Sequence, residues 1–281
     1  MAGVEETGGR FADPAREPSL YRWVRRAGWG FARVFSILAL ALAWEVAARS
    51  GAFTPYMLPA LSAVLERIWN DLFAGDLLTN TAVTLYRALS GFLIGAAAGV
   101  ALGVGISRNR LTSWFFDPII SVGFPMPKIA FLPVVILWLG VYDVSKITMI
   151  AVEAVFPVVT ATVIGIRGVE RELLWSARNM GAGERELLWQ IALPAALPQI
   201  ITGLQVALPI ALIVAIVTEM FMGGYGLGGA MNTAARFADS RGVFAGIVEI
   251  AVIGYALVKS MMLMRRRLLL WHQEAVAPST A

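Results

Sequence analysis

The amino-acid sequence predicts an all-α membrane protein of about six transmembrane helices, and three observations carry that expectation. Apolar residues make up 58% of the 281 and charged residues only 15%, where a soluble domain carries about 25% charged. The apolar residues fall into runs long enough to cross a bilayer, which takes about 20 residues at 1.5 Å of rise each. The arginines collect in alternate loops, as expected where those loops face the cytoplasm.

Several function classes drop out on composition. With no cysteine, disulfide frameworks, thiol catalysis and thiolate metal sites are excluded. The single histidine, His272, lies in an arginine- and leucine-rich tail, and one imidazole builds neither a multi-histidine metal site nor a catalytic centre in the bundle. The sequence pI of about 9.7 does not point to nucleic acid, because the arginines flank hydrophobic spans. No P-loop pattern GxxxxGK[ST] occurs, so the chain supplies no ATP site of that kind.

Residues 1–28 read as a polar cytoplasmic leader without order or an evident cleavable signal, 29–264 as the transmembrane domain, and 265–281 as a cytoplasmic tail. Spans are expected at 31–49, 80–106, 117–139, 144–166, 197–222 and 243–264. Arg22, Arg25, Arg26 and Arg33 precede or open the first span and place the N-terminus inside. Arg108 and Arg110 follow the second span, Arg167, Arg171, Arg178 and Arg185 the fourth, and Arg265–Arg267 the last, so both termini are expected in the cytoplasm. Between the first two spans, Leu61, Val64, Leu65, Ile68, Trp69 and Leu72 recur at helical spacing among polar residues. That pattern predicts a helix lying along the outer membrane surface.

Gly91, Gly95, Gly99 and Gly103 stand four residues apart in the second span, which puts them on one face and lets another backbone approach. The third span holds Pro118, Pro125, Pro127 and Pro133 and is expected to kink or partly unwind. Irregular backbone at membrane depth is tolerated only inside protein or beside a wet cavity. Lys128 lies deep in this span and Glu153 deep in the fourth. Both fit either an ion pair inside the bundle or the lining of a translocation path, with Glu219, nearer a span end, as a third candidate. Gly224, Gly226 and Gly229 match GxGxxG formally, but no strand precedes them, and a flexible outer turn is expected there.

The segment from Gly168 to Pro194 carries most of the functional information. Two short amphipathic helices are expected, around Arg171–Met180 and Glu184–Ala192, with Gly181 and Gly183 allowing the reversal between them. Leu173, Leu174, Trp175, Leu187, Leu188 and Trp189 give each helix an apolar face. A loop that only joined two spans would need no such face; this one needs a surface to bury against.

This segment resembles the signature loop of binding-protein-dependent type I ABC importer permeases, in which EAA, three residues and Gly are followed, after nine more, by I-x-L-P. Ala177, Gly181, Ile191, Leu193 and Pro194 match at that spacing. The resemblance runs from about Leu58 to Trp271 through LPALSAV at 58–64, TLYRALSGFLIG at 84–95, PMPKIAFLPVVILWLG at 125–140, LPAALPQIITGL at 193–204 and TEMFMGGYGLG at 218–228. The whole looks most similar to permeases of the sulfonate, taurine, nitrate and bicarbonate group. It implies a non-enzymatic permease without its own cofactor, in a bacterial inner membrane. Its partners would be separate ATPase subunits that bind ATP and Mg, a second permease copy, and a periplasmic or lipid-anchored solute-binding protein. It further implies that Glu172, Trp175, Ser176, Ala177, Arg178, Gly181, Ala182, Ile191, Leu193 and Pro194 dock on the ATPase. One departure stands out: the signature glutamate aligns with Trp175 and its following alanine with Ser176, so either Glu172 or apolar docking by Trp175 would replace the family's ion pair. A secondary transporter or channel is the rival reading, and it leaves the two cytoplasmic helices without a purpose.

Overall fold

The computed structural model describes residues 35–269. The leader, the start of the first expected span and the tail with His272 lie outside the described residues. Among those described, every regular element is helical.

The first unit of the chain ends at Ser62 and holds a helix over residues 35–49 (α1). Beyond it the chain folds back. The Glu45 carboxylate accepts from Arg49 Nε at 2.6 Å and from the Ser62 backbone N–H at 3.1 Å, while Trp44 Nε1 donates to the Pro59 carbonyl.

The second unit begins in the helix Leu61–Ala74 (α2), where the surface helix was expected. Its core is built from Leu77–Arg108 (α3), Asp143–Arg167 (α6) and Leu193–Met222 (α9). Between α3 and α6 come Arg110–Gly123 (α4), a 3-10 turn at Lys128–Phe131 and Leu132–Leu139 (α5). Between α6 and α9 come Arg171–Asn179 (α7) and Glu184–Glu186 (α8), the latter running through a π-wound stretch, Leu187–Ala192, into α9. Leu227–Arg236 (α10) and Ser240–Leu268 (α11) complete the order.

The glycine stripe of α3 does what its spacing predicts. Gly91 lies against Ile150, Gly95 against Ala151 and Ala154, Gly99 against Val158, and Gly103 against Thr162. Each four-residue step on α3 meets a four-residue step on α6, so the two helices run parallel in constant register. A Cβ on Gly95 would stand 2.5 Å from the Ala151 carbonyl oxygen, and one on Gly103 2.5 Å from Thr162 Cβ. The α3 backbone therefore rests directly on the carbonyls and short or β-branched side chains of α6. On an adjoining face of α6, Gly203 of α9 packs against Ala161 and the Pro157 carbonyl in the same way.

Four helices among the described residues are long and apolar enough to cross a membrane: α3, α6, the Glu184–Met222 run and α11. The third span, expected to kink or partly unwind, does so: α4 and the Lys128–Leu139 segment meet at 94°, and counting that pair as one span brings the total to five. Pro125 and Pro127 cannot donate backbone hydrogen bonds across the break. The sixth expected span, 31–49, is seen only from residue 35.

The seam supplies a stability test. Gly95→Ala forces α3 and α6 apart and should cost about 1–3 kcal/mol, the usual range for overpacking, read as a lower midpoint of thermal unfolding in detergent. Gly105→Ala, whose Cβ would meet only Thr112 Cγ2 at an ordinary 3.5 Å, should leave that midpoint unchanged.

Candidate functional site

The α7–α8 segment is a compact hairpin at the Arg167 end of the bundle. Gly181 has φ of +89°, the left-handed conformation that a side chain disfavours. Its N–H donates to the Arg178 carbonyl at 2.9 Å, and the Ala182 N–H reaches back to the Ala177 carbonyl at 3.0 Å. This pair of bonds is a Schellman motif, which ends α7 and turns the chain. Glu186 accepts from the Gly183 N–H at 2.8 Å and starts the second helix. Glu184 bridges Arg178 at 3.0 Å and Arg108 at 3.1 Å, tying the hairpin to the end of α3.

The hairpin's apolar residues divide between two faces. Ala177, Leu187 and Ala192 are buried, with Leu174, Ala182, Ile191 and Leu193 partly so. Trp175 points away from Ala177 on α7, and Leu173, Trp175, Met180 and Trp189 are exposed, Met180 at 82% and Trp189 at 69%. Glu172, Ser176, Arg178, Gly181 and Pro194 are exposed as well.

Lys128, Glu153 and Glu219, the three candidate path charges, are all engaged. Lys128 is 6% exposed and lies 3.1 Å from the Glu153 carboxylate. Its ammonium also donates to the Gly123, Phe124 and Met126 carbonyls and sits 4.4 Å above the Phe156 ring. Those carbonyls belong to the break between α4 and α5, so Lys128 satisfies the backbone that the break leaves open.

Glu219, at the far end of α9, is fully buried. Its carboxylate accepts from Thr84 Oγ1 at 2.8 Å, Arg87 Nη1 at 2.7 Å and the Gly228 N–H at 3.1 Å. Arg87 in turn holds Asp143 at 2.7 Å and the Tyr225 carbonyl at 2.5 Å, while Lys146 donates to the Gly223 carbonyl at 2.8 Å. Gly226, with φ of +126°, presses directly on the Glu219 carboxylate. The glycine-rich turn is therefore pinned at several points, not flexible as expected. Beside it, Arg67 of α2 bridges Asp71 and Asp239 at 2.8 Å each. Its pKa is raised, first by the hydrogen bond to Asp71, with the charges of both carboxylates adding to it.

The protein-family model for the inner membrane component of binding-protein-dependent transport systems matches residues 91–269. That interval takes in both the signature hairpin and the packed core. The chain belongs to this family. The permease is 32% identical to the putative aliphatic sulfonates transport permease protein SsuC of Bacillus subtilis (strain 168), over 88% of this chain and 89% of that one. It is 28% identical to the taurine transport system permease protein TauC of Escherichia coli (strain K12), over 85% of this chain and 89% of that one. In fold it resembles a chain of the MetNI methionine ABC transporter solved in inward facing conformations, with a TM-score of 0.55 and 19% identity, covering 73% of this chain and 96% of that one. The permease thus has the type I ABC importer fold.

Sequence reasoning grouped Lys128, Glu153 and Glu219 as candidates for one path; the permease keeps them in two separate clusters. Only Lys128 and Glu153 meet. Glu219 pairs instead with Arg87, 132 positions away, and no local pattern announces that partner. Removing one member of a buried pair costs about 3–5 kcal/mol because the other is left charged and alone. Arg87→Met should show that loss in thermal unfolding, and Arg87→Met combined with Glu219→Gln should recover part of it.

Proposed function

We propose that the permease forms the path for a small anion of the sulfonate, taurine, nitrate or bicarbonate kind, and that separate ATPase subunits drive it through residues 171–194. The observation that carries this reading is the exposed face of Leu173, Trp175, Met180 and Trp189. The opposite face of the same hairpin is fastened to the bundle through Leu187, Ala177 and Glu184. A segment held on one side and apolar on the other is built to transmit force from a partner that covers it. Trp175 stands where the family has its acidic residue, and its 56% exposure suits apolar docking, with Glu172 one turn earlier at the rim. Relatives named for sulfonate and taurine transport support the substrate class.

In this reading the permease works as two copies and receives solute from a periplasmic or lipid-anchored binding protein. Both termini and the hairpin lie in the cytoplasm, and the Arg87 end faces outward. ATP and Mg bind in the ATPase subunits, and the permease carries no cofactor of its own. ATP binding draws the ATPases together, and the hairpins move with them. Because the hairpin continues into α9 by chain and follows α6 directly, its movement tilts both helices and switches the side on which the path opens. Linkage between nucleotide state and path state of about 1–3 kcal/mol per pair of sites is enough. The pairing of Lys128 with Glu153 and of Glu219 with Arg87 leaves none of the three candidate path charges free to serve a secondary transporter.

A pull-down from detergent tests the reading. The intact chain should retain an ATPase subunit, and the chain with 171–192 replaced by a flexible linker should lose it. An intact chain that purifies alone and moves solute in liposomes without ATP would sink the proposal. A finer test is Gly181→Val. No atom lies within 4 Å of the Cβ it would gain, so the substitution strains only the turn. Membrane insertion should stay normal while ATP-driven uptake falls at least tenfold.

A further inference from the structure

The register of the α3–α6 seam brings two like charges to one level. Gly91 meets Ile150, Gly95 Ala154, Gly99 Val158 and Gly103 Thr162, an offset of 59 residues each time. Carried to the end of the seam, that offset sets Ser107 level with Ile166, and Arg108 level with Arg167. These two arginines are the last residues of α3 and α6. Helices packed this closely keep their ends together, so both guanidiniums face one space.

The space is a cavity of about 270 Å³, lined by all four of those residues and, from the hairpin, by Arg178 and Glu184. Three guanidiniums thus line it against one carboxylate. Glu184 serves two of them, at 3.1 Å from Arg108 and 3.0 Å from Arg178, and its carbonyl accepts from Arg108 at 3.0 Å. Arg167 is left with a loose 3.6 Å approach to Asp117 of α4 and a bond to the Ser113 hydroxyl at 3.0 Å. Each guanidinium carries five N–H donors, so most of the donors around the cavity remain open. The three side chains are between a third and just over half exposed, within reach of an anion arriving from outside the bundle.

Like charges at one level repel unless an anion stands between them. Glu184 neutralises one of the three, and Asp117, at its longer distance, a second only in part. α3 and α6 are both long and apolar enough to cross a membrane, so their shared end lies at the level of the lipid headgroups. Basic pockets between spans at that level bind the phosphates of anionic lipids, and a guanidinium pairs with phosphate oxygens two bonds at a time. A water takes about 30 Å³, so the cavity has room for a phosphate group and its remaining hydration.

We propose that this cavity binds a phosphate group, held by Arg108 and Arg167 from the two spans and by Arg178 from the hairpin. The headgroup of an anionic phospholipid and free phosphate offer the same oxygens to it. A phosphate held there braces the hairpin against the seam, a role in transport that rests on the function proposed above. The binding site itself does not rest on it.

Binding is read on the full chain in neutral detergent, with no ATPase present, as the midpoint of thermal unfolding. Dioctanoyl phosphatidylglycerol should raise that midpoint by several degrees, as a ligand of the folded state does above its dissociation constant. Dioctanoylglycerol, with the same chains and no phosphate, should not. Inorganic phosphate at millimolar concentration, against chloride of equal ionic strength, separates the two sources. If it raises the midpoint as far as the lipid does, the site takes the soluble anion; if it has no effect, the site takes the lipid. In Arg167→Gln and in Arg108→Gln half-saturation should need at least tenfold more ligand. Arg185→Gln, at a hairpin arginine that does not line the cavity, should bind as the parent does. A parent chain that neither compound stabilises overturns the proposal, and so does a shift that Arg167→Gln and Arg108→Gln leave intact. Loss of ATPase capture with normal phosphate binding would count against the proposed function alone.

Discussion

Contact between two backbones is the constraint on which the rest of this structure depends. Along the α3–α6 seam α3 puts no side chain between the helices at Gly91, Gly95, Gly99 or Gly103, and the register never slips. In lipid there is little hydrophobic gain from bringing helices together, so close packing and hydrogen bonding must supply the cohesion. Glycine every fourth residue on one helix and short or β-branched residues on the other give the largest contact that two cylinders allow. With Gly203 repeating the device between α9 and α6, three spans behave as one block. The broken span, the hairpin and the glycine-rich turn are all mounted on it.

The block is held differently at its two ends. At the Arg87 end, Glu219, Thr84, Asp143 and Lys146 join α3, α6, α9 and the turn after α9 through charge-assisted bonds in a buried setting. Such bonds are strong where water is excluded, and each is costly to break singly. At the Arg167 end the ties are half-exposed pairs, Arg108–Glu184, Arg178–Glu184 and Arg167–Asp117, which contribute little individually. A body fastened tightly at one end and loosely at the other moves most at the loose end. That is also where Trp175 and Trp189 of the hairpin are exposed.

How much of this could be read from the sequence depended on the range of the interaction. The glycine stripe and the hairpin are local patterns: a four-residue period defines a face, and a glycine between two amphipathic stretches defines a reversal. Both were legible with their boundaries nearly right. The prolines of the third span announced irregularity but not its 94° bend, because the bend is held by Lys128 reaching three carbonyls and a carboxylate on another helix. The glycine-rich turn looked flexible by composition. It is pinned by Asn80, Thr84 and Lys146, residues from other spans that nothing in its own sequence betrays. Arg87 and Glu219 were both visible as charges in apolar runs, yet pairing them required the fold.

The junction between hairpin and α9 shows how a local rule and the proposed mechanism meet. Pro194 has no N–H, and in regular α geometry its ring would crowd the carbonyl of Gln190 one turn earlier. The structure avoids that conflict by winding Leu187–Ala192 as π-helix, with the wider turn ending just before the proline-containing start of α9. Helical bonding is re-phased there and not abandoned, so the run from Glu184 to Met222 stays continuous. A fully broken junction would absorb any displacement of the hairpin, whereas a uniform α-helix could not place a proline there without a kink. A π-wound turn keeps the helix stiff enough to act as a lever while shifting the phase of its faces. Trp189 can then stay outward while Ala196 and Ile200, about two and three turns beyond it, are buried in the block.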